Sequence, residues 1–137
     1  DMSDFSYARK FDFIVLADIL EHIPVELHSN IFKIIQKHTH ADSLVVINIP
    51  HPDSIDWVRN HNPELLQIID QALNAAELMH TIYSNNLCLV SFKSYSLFFK
   101  NYDYQFMVVK PRLSLKSHPI KSKFELLFEQ LKYRILI

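Results

Sequence analysis

The stretch that decides the fold is "FDFIVLADILEHIP", residues 11–24. Its first half, residues 11–17, is a short and nearly continuous apolar run, the pattern of a parallel-sheet strand covered on both faces. The run then ends in Asp18, Glu21 and His22. Ionisable groups are costly to bury unpaired, so a strand tip that carries three of them has to open into a cleft.

Working outward, "LVVINIP" at 44–50 repeats the buried-strand pattern. Between the two runs, Leu27, Ile31, Ile34 and Ile35 recur at helical spacing, with Glu26, Asn30, Lys33 and Lys37 on the opposite face. That periodicity predicts an amphipathic crossover helix over 25–38, and with it a βαβ unit. In open α/β sheets ligands sit outside the carboxyl ends of the strands. Asp18, Glu21 and His22 from the first strand should therefore share one cleft with Pro50, His51 and Asp53 from the second.

Beyond Pro50, "SIDWVRN" predicts a short helix, and Asn62 followed by Pro63 reads as the start of a longer one with Leu65, Leu66, Ile68, Ile69, Leu73 and Leu78 as its buried stripe. From Asn85 to Pro111, "LCLVSFKSYSLF" and "YDYQFMVV" around "KNYD" read as an antiparallel pair. Residues 120–136 close the chain as a helix with Phe124, Leu127, Phe128, Leu131 and Ile135 on one side. The expectation is a single α/β domain, 1–137, made of a main part over 1–111 and a terminal helix over 112–137. The segment 111–119 is the one plausible hinge.

Composition narrows the function classes. The 137 residues are 49% hydrophobic and 21% charged with a formal net charge of -1, which gives no bulk reason to expect nucleic acid as a partner. The one cysteine, Cys88, lies between Leu87 and Leu89 and reads as a structural thiol, in keeping with a cytoplasmic setting. No apolar stretch approaches the ~18 residues of a spanning helix, and no membrane partner is expected. Glycine is absent altogether. Phosphate-cradling loops and dinucleotide fingerprints depend on glycine for positive φ and close backbone approach, so neither motif is present.

Taken together, "KFDFIVLADILEHIP", a helix, "ADSLVVINIPHP", further helices and a hairpin ending "YDYQFMVVKP" resemble the carboxyl-terminal half of a class I S-adenosylmethionine-dependent methyltransferase. The likeness runs from Asp1 to about Pro111. It implies a partial Rossmann-like sheet with two parallel strands, flanking helices and a terminal antiparallel hairpin. By the same resemblance "DMSDF" follows the family's third strand, with Asp1 at the adenine amino group and Met2 at the ring. Ala17 and Asp18 then lie beside the methionine part of the cofactor.

The family's glycine-rich loop and its ribose-binding acidic residue have no counterpart here. The expectation is a fragment that carries only part of the site, is inactive by itself, and follows a glycine-rich loop within the ~90 residues before Asp1. The edge of strand 11–17 should then be paired with the missing chain or another subunit. The alternative is a non-catalytic α/β interaction module that has lost donor binding.

Methyl transfer needs an acceptor held in line and no covalent residue, with a small-molecule or sugar-like acceptor expected. An acceptor proton would go to an imidazole at a strand tip, which makes His22 and His51 the candidate catalytic residues. Their structural reading is capping or orienting the loops. Asp18, Glu21 and His22 also resemble the "E-x-x-E-H" with which some methyltransferases hold a divalent ion, His51 or His61 being a further ligand; with Asp in place of the first Glu, structural roles are preferred. "HTH" at 38–40 reads as a helix end interacting with its dipole. The aromatics Phe92, Tyr95, Phe98, Phe99, Tyr102, Tyr104 and Phe106 read as core and sheet packing, with one or two as the alternative wall of an acceptor pocket, and Trp57 as an anchor for its helix, with a lid over the cleft as the alternative. Lys116, Lys121, Lys123, Lys132 and Arg134 around the terminal helix allow membrane-surface binding, with docking on the chain's own sheet or a neighbouring subunit preferred.

Overall fold

The computed structural model describes residues 5–113 and 121–135, with 132–135 as backbone alone. Asp1, Met2, Lys116 and most of the expected hinge lie outside the described residues. The chain runs β1 (Phe11–Ala17), a 3-10 turn (Leu20–His22), α1 (Val25–Lys37) and β2 (Thr39–Pro50). β1 and β2 pair in parallel, with Ile14 opposite Val45, Leu16 opposite Ile47 and Ala17 opposite Asn48. The βαβ unit is therefore present as the periodicity required.

Two details differ from expectation. β2 starts at Thr39 and not at Leu44, because polar groups do the local bonding: the Ser43 hydroxyl donates to the Phe11 carbonyl at 2.6 Å and accepts from His40 N at 2.8 Å. The face of α1 is also rotated. His28, Ile31, Phe32 and Ile35 are buried while Leu27 is exposed. His28 gains that place because its Nε2 lies 3.0 Å from the Leu20 carbonyl and 2.9 Å from that of Ile23, so one ring donor serves both ends of the 3-10 turn. As expected, the helix end holds His38, whose Nε2 accepts from Tyr7 N at 3.0 Å. Its Nδ1 therefore carries the hydrogen and donates to the Ile34 carbonyl at 2.8 Å.

The long helix expected after Asn62 is broken. α2 (Pro52–His61) is followed by a 3-10 turn (Pro63–Leu65), an irregular segment, and α3 (Ala75–Ser84). Leu73 and Leu78 are buried, but Leu65 is exposed and Ile68 fully so. Side-chain acceptors explain the break. Asp70 Oδ2 takes the Gln67 amide at 2.6 Å, and Asn74 Oδ1 caps α3 through the amides of Ala76 and Glu77. Both residues offer the backbone an alternative to continued helix.

β3 (Leu87–Tyr95) and β4 (Tyr104–Pro111) form the hairpin, and β4 inserts between β2 and β3 to give the order β1-β2-β4-β3. Among the described residues only the β1–β2 pair is parallel. Two corners need a left-handed backbone, and without glycine they fall to Asp18 (φ 50°) and Asn86 (φ 55°), residues that tolerate it best after glycine.

One face of the sheet carries the core: Leu16, Val45, Ile47, Ile49, Met107 and Val109 pack with Ile31, Phe32 and Ile35 of α1 and Leu78 and Ile82 of α3. Burying side chains of this size contributes roughly 1.5–3 kcal/mol each. The other face is open at β1, where Phe13 is 66% and Val15 59% exposed, so the strand read as doubly covered is covered on one side among the described residues. α4 (Lys123–Ile135) starts with a reciprocal capping box in which Glu125 Oε2 accepts from Ser122 N at 2.7 Å and Ser122 Oγ from Glu125 N at 3.4 Å. Its stripe of Phe124, Leu127, Phe128 and Leu131 is exposed, where docking was expected. No helix among the described residues is long and apolar enough to cross a membrane.

Candidate functional site

At the carboxyl end of β1 the chain turns sharply. Asp18 takes its left-handed conformation while its amide still donates to the Asn48 carbonyl at 2.9 Å, extending the β1–β2 ladder by one bond. The 3-10 turn that follows directs Glu21 inward, where only 1% of the residue is exposed. His22 turns toward the irregular segment before α3.

His22 Nδ1 lies 2.7 Å from the Ile69 carbonyl and 2.9 Å from Asp70 Oδ1. Both partners only accept, so Nδ1 carries the hydrogen and the neutral ring keeps its lone pair on Nε2, 3.7 Å from Glu21 Oε1. The segment that fixes the imidazole is itself tied down. The Gln71 amide donates to the Glu21 carbonyl at 3.0 Å, and Arg59 Nη2 donates to the Asp70 carbonyl at 2.7 Å.

Asp18 and Pro50, the tips of the two parallel strands, line one cavity of about 390 Å3 together with Glu21, His22 and Asp70. Its apolar wall comes from Ile55, Val58, Leu65, Leu66, Phe98 and Phe99. A neighbouring cavity of about 440 Å3 holds His51, Asp53, Trp57 and Tyr102, and Ser54, Phe99 and Asp103 border both. His22 and His51 thus face different cavities. His51 acts as the N-cap of α2, its Nδ1 accepting from Asp53 N at 3.2 Å while its own amide donates to the Asp103 carbonyl at 2.7 Å.

The aromatics of the hairpin do not pack the core as expected. β3 ends at Tyr95, and residues 96–103 form a loop because the Asp103 carboxylate accepts the amides of Leu97 (2.6 Å), Phe98 (2.7 Å) and Phe99 (3.2 Å). Phe98 and Phe99 are thereby exposed toward the cavities, and Trp57, half exposed, stacks on His61 at 4.4 Å and meets Phe99 edge-on at 5.5 Å. Trp57 therefore lines the neighbouring cavity, closer to the alternative of covering the cleft than to the preferred role of anchor. Tyr95 and Tyr104 pack at 5.8 Å, with the Tyr95 hydroxyl on Asn48 Oδ1 at 2.8 Å.

The electrostatics follow from this packing. Burial, with a smaller push from the Asp18 and Asp70 carboxylates, raises the Glu21 carboxyl to about 7. Burial also acts on Asp103, but the three amides it accepts outweigh that and hold it below the ordinary carboxylate range. Burial and the hydrogen-bonded Asp18 carboxylate push the Tyr104 hydroxyl up to about 12, so it stays a neutral donor. Among the described residues no group of three or more His, Cys, Asp or Glu side chains is placed to hold a metal ion.

Sequence reasoning missed Asp70, Asp103 and Tyr104. Asp70 lies far from His22 in the chain, within a stretch patterned like a helix; Asp103 carries only the weak local signal of an aspartate before a strand.

The architecture has known counterparts. An S-adenosylmethionine-dependent methyltransferase from Clostridium acetobutylicum matches with a TM-score of 0.66 at 12% identity, over 82% of this chain and 63% of that one. One from Methanosarcina mazei matches at 0.67 and 15%, over 82% and 65%. Magnesium protoporphyrin IX methyltransferase from Synechocystis, solved with bound SAH, matches at 0.61 and 14%, over 81% and 48%. The fold is that of the class I S-adenosylmethionine-dependent methyltransferases. No protein-family model and no curated protein matches the chain. This chain spans about half to two thirds of the length of these methyltransferases.

Proposed function

We propose that the chain forms the acceptor side of a site for S-adenosylmethionine-dependent methyl transfer to a small molecule. One observation carries the reading: the tips of two parallel strands, Asp18 and Pro50, open into a single cavity that also holds an imidazole fixed in one tautomer. Ala17, small and exposed, and the Asp18 carboxylate fit the amino-acid end of the donor. When bound, that donor supplies a methyl group on a sulfonium, and in-line positioning alone lowers the barrier by several kcal/mol.

The residues of this chain do the rest. The apolar wall excludes water, His22 Nε2 takes the acceptor's proton, and Asp70 with the Ile69 carbonyl stabilises the imidazolium that results. His51 shapes the neighbouring cavity by holding α2 to the Asp103 loop. In the full-length protein, His22→Gln is expected to lower kcat by about 100-fold or more while the KM for the donor stays within about threefold. Unchanged kcat removes His22 from the chemistry. Absence of donor binding in the wild type would favour the non-catalytic interaction module.

The same reading gives the bare edge of β1 a further parallel strand, from another part of the protein or another subunit. Its support is the place of β1 at the end of the sheet order, with no strand on its outer edge among the described residues. Amide exchange over residues 12–16 is expected to be fast in the isolated chain and slowed at least tenfold in the full protein, a protection of ~1.4 kcal/mol. Equal rates in both would overturn the pairing.

A further inference from the structure

We infer that the cavity holding Glu21 and His22 selects an acceptor that carries a cationic amine on an apolar body, and that it rejects acceptors bearing carboxylate or phosphate. The inference rests on the acceptor-side reading above and names the chemical class that side would take.

The charge of the lining is one-sided. Asp18, Glu21, Asp70 and Asp103 all border the cavity, and among the described residues neither lysine nor arginine does. Arg59 is turned to the Asp56 carboxylate and the Asp70 carbonyl and lies outside the lining. Two of the four carboxylates are already committed, Asp103 to three loop amides and Asp70 to His22 and the Gln67 amide. Asp18 lies at the cavity beside Tyr104 and keeps lone pairs for a ligand.

Glu21 supplies the independent sign of a ligand. It is 1% exposed, its Oε2 has no hydrogen-bond partner, and the side chain lines the cavity. Buried acceptors are nearly always satisfied, so an orphaned carboxylate oxygen on a residue that lines a cavity marks the place of an incoming donor. An ammonium offers that oxygen a charge-assisted bond and leaves hydrogens for Asp18. A hydroxyl could reach Glu21 with its single hydrogen but would leave the surrounding negative charge uncompensated.

The rest of the cavity sets the body of the ligand. Leu65 and Phe98 are exposed apolar side chains on opposite loops of the wall. A volume of about 390 Å3 suits a single-ring or short-chain molecule.

Three probes that share one ring and differ in the polar group test this by calorimetry on the full-length protein: phenethylamine, 2-phenylethanol and phenylacetate. The amine is expected to bind at least tenfold tighter than the alcohol (~1.4 kcal/mol), and the acid weakest. Glu21→Gln should abolish most of the preference, and Asp18→Asn, a change at an exposed position, should reduce it in the same direction. Equal binding of amine and alcohol, tighter binding of the acid, no amine binding at millimolar concentration, or a preference untouched in both variants overturns the inference. A parallel titration with S-adenosylmethionine keeps the two readings apart. Amine selectivity without donor binding removes the methyl-transfer reading alone, and donor binding without amine selectivity removes this inference alone.

Discussion

Asp103→Ala is expected to destabilise the chain by about 3 kcal/mol, the effect of leaving three amides without a buried charged acceptor. The carboxylate is 2% exposed and gathers the amides of Leu97, Phe98 and Phe99, so its loss releases the whole 96–103 loop. Urea unfolding should show the midpoint falling by roughly 1–2 M. The pH dependence has a definite sign. Because the folded-state carboxyl is held low, its contribution is present above the unfolded value of 3.8 and is lost as pH falls through the folded value. The gap between wild type and variant should therefore close only in strong acid. A midpoint shift equivalent to less than about 0.5 kcal/mol at pH 7 would show that water replaces the carboxylate without loss.

Glu21→Gln should act in the opposite direction. Burial raises the Glu21 carboxyl from 4.5 to about 7, so between those values the folded chain holds a proton that the unfolded chain has released. Stability is then greatest below pH 4.5 and declines as pH rises to about 7, by on the order of 3 kcal/mol at about 1.4 kcal/mol per unit. Glutamine mimics the protonated acid and has no such slope. The variant should match the wild type near pH 4 and exceed it by about 2–3 kcal/mol at pH 8. The two proteins differ at this one side chain, so the difference between the two curves isolates Glu21. Parallel curves across this range would mean that Glu21 is solvated.

The parts legible in the sequence are those fixed by local periodicity. β1, α1 and β2 announce themselves because two apolar runs flank a helical stripe, and the rule for strand tips then places Asp18 and His22 at a cleft. Glycine's absence could not say which residues would take the left-handed corners. The segment 63–78 misled because its leucines and isoleucines keep a helical period. Asp70 and Asn74 intercept the backbone there, and a period count does not register side-chain acceptors. The hairpin aromatics misled for a related reason, since Asp103 ends the strand pattern early and swings Phe98 and Phe99 outward. Nothing local links His22 to Asp70 or turns Glu21 inward; both depend on where distant elements come to rest.

Asp103 separates two tasks that a binding wall usually combines. It grips the loop through backbone amides, which every residue type except proline possesses, and so it imposes no chemistry on the side chains at 97, 98 and 99. Substitutions there could accumulate over generations and retune what the pocket recognises while the peg that holds the wall in place stays the same.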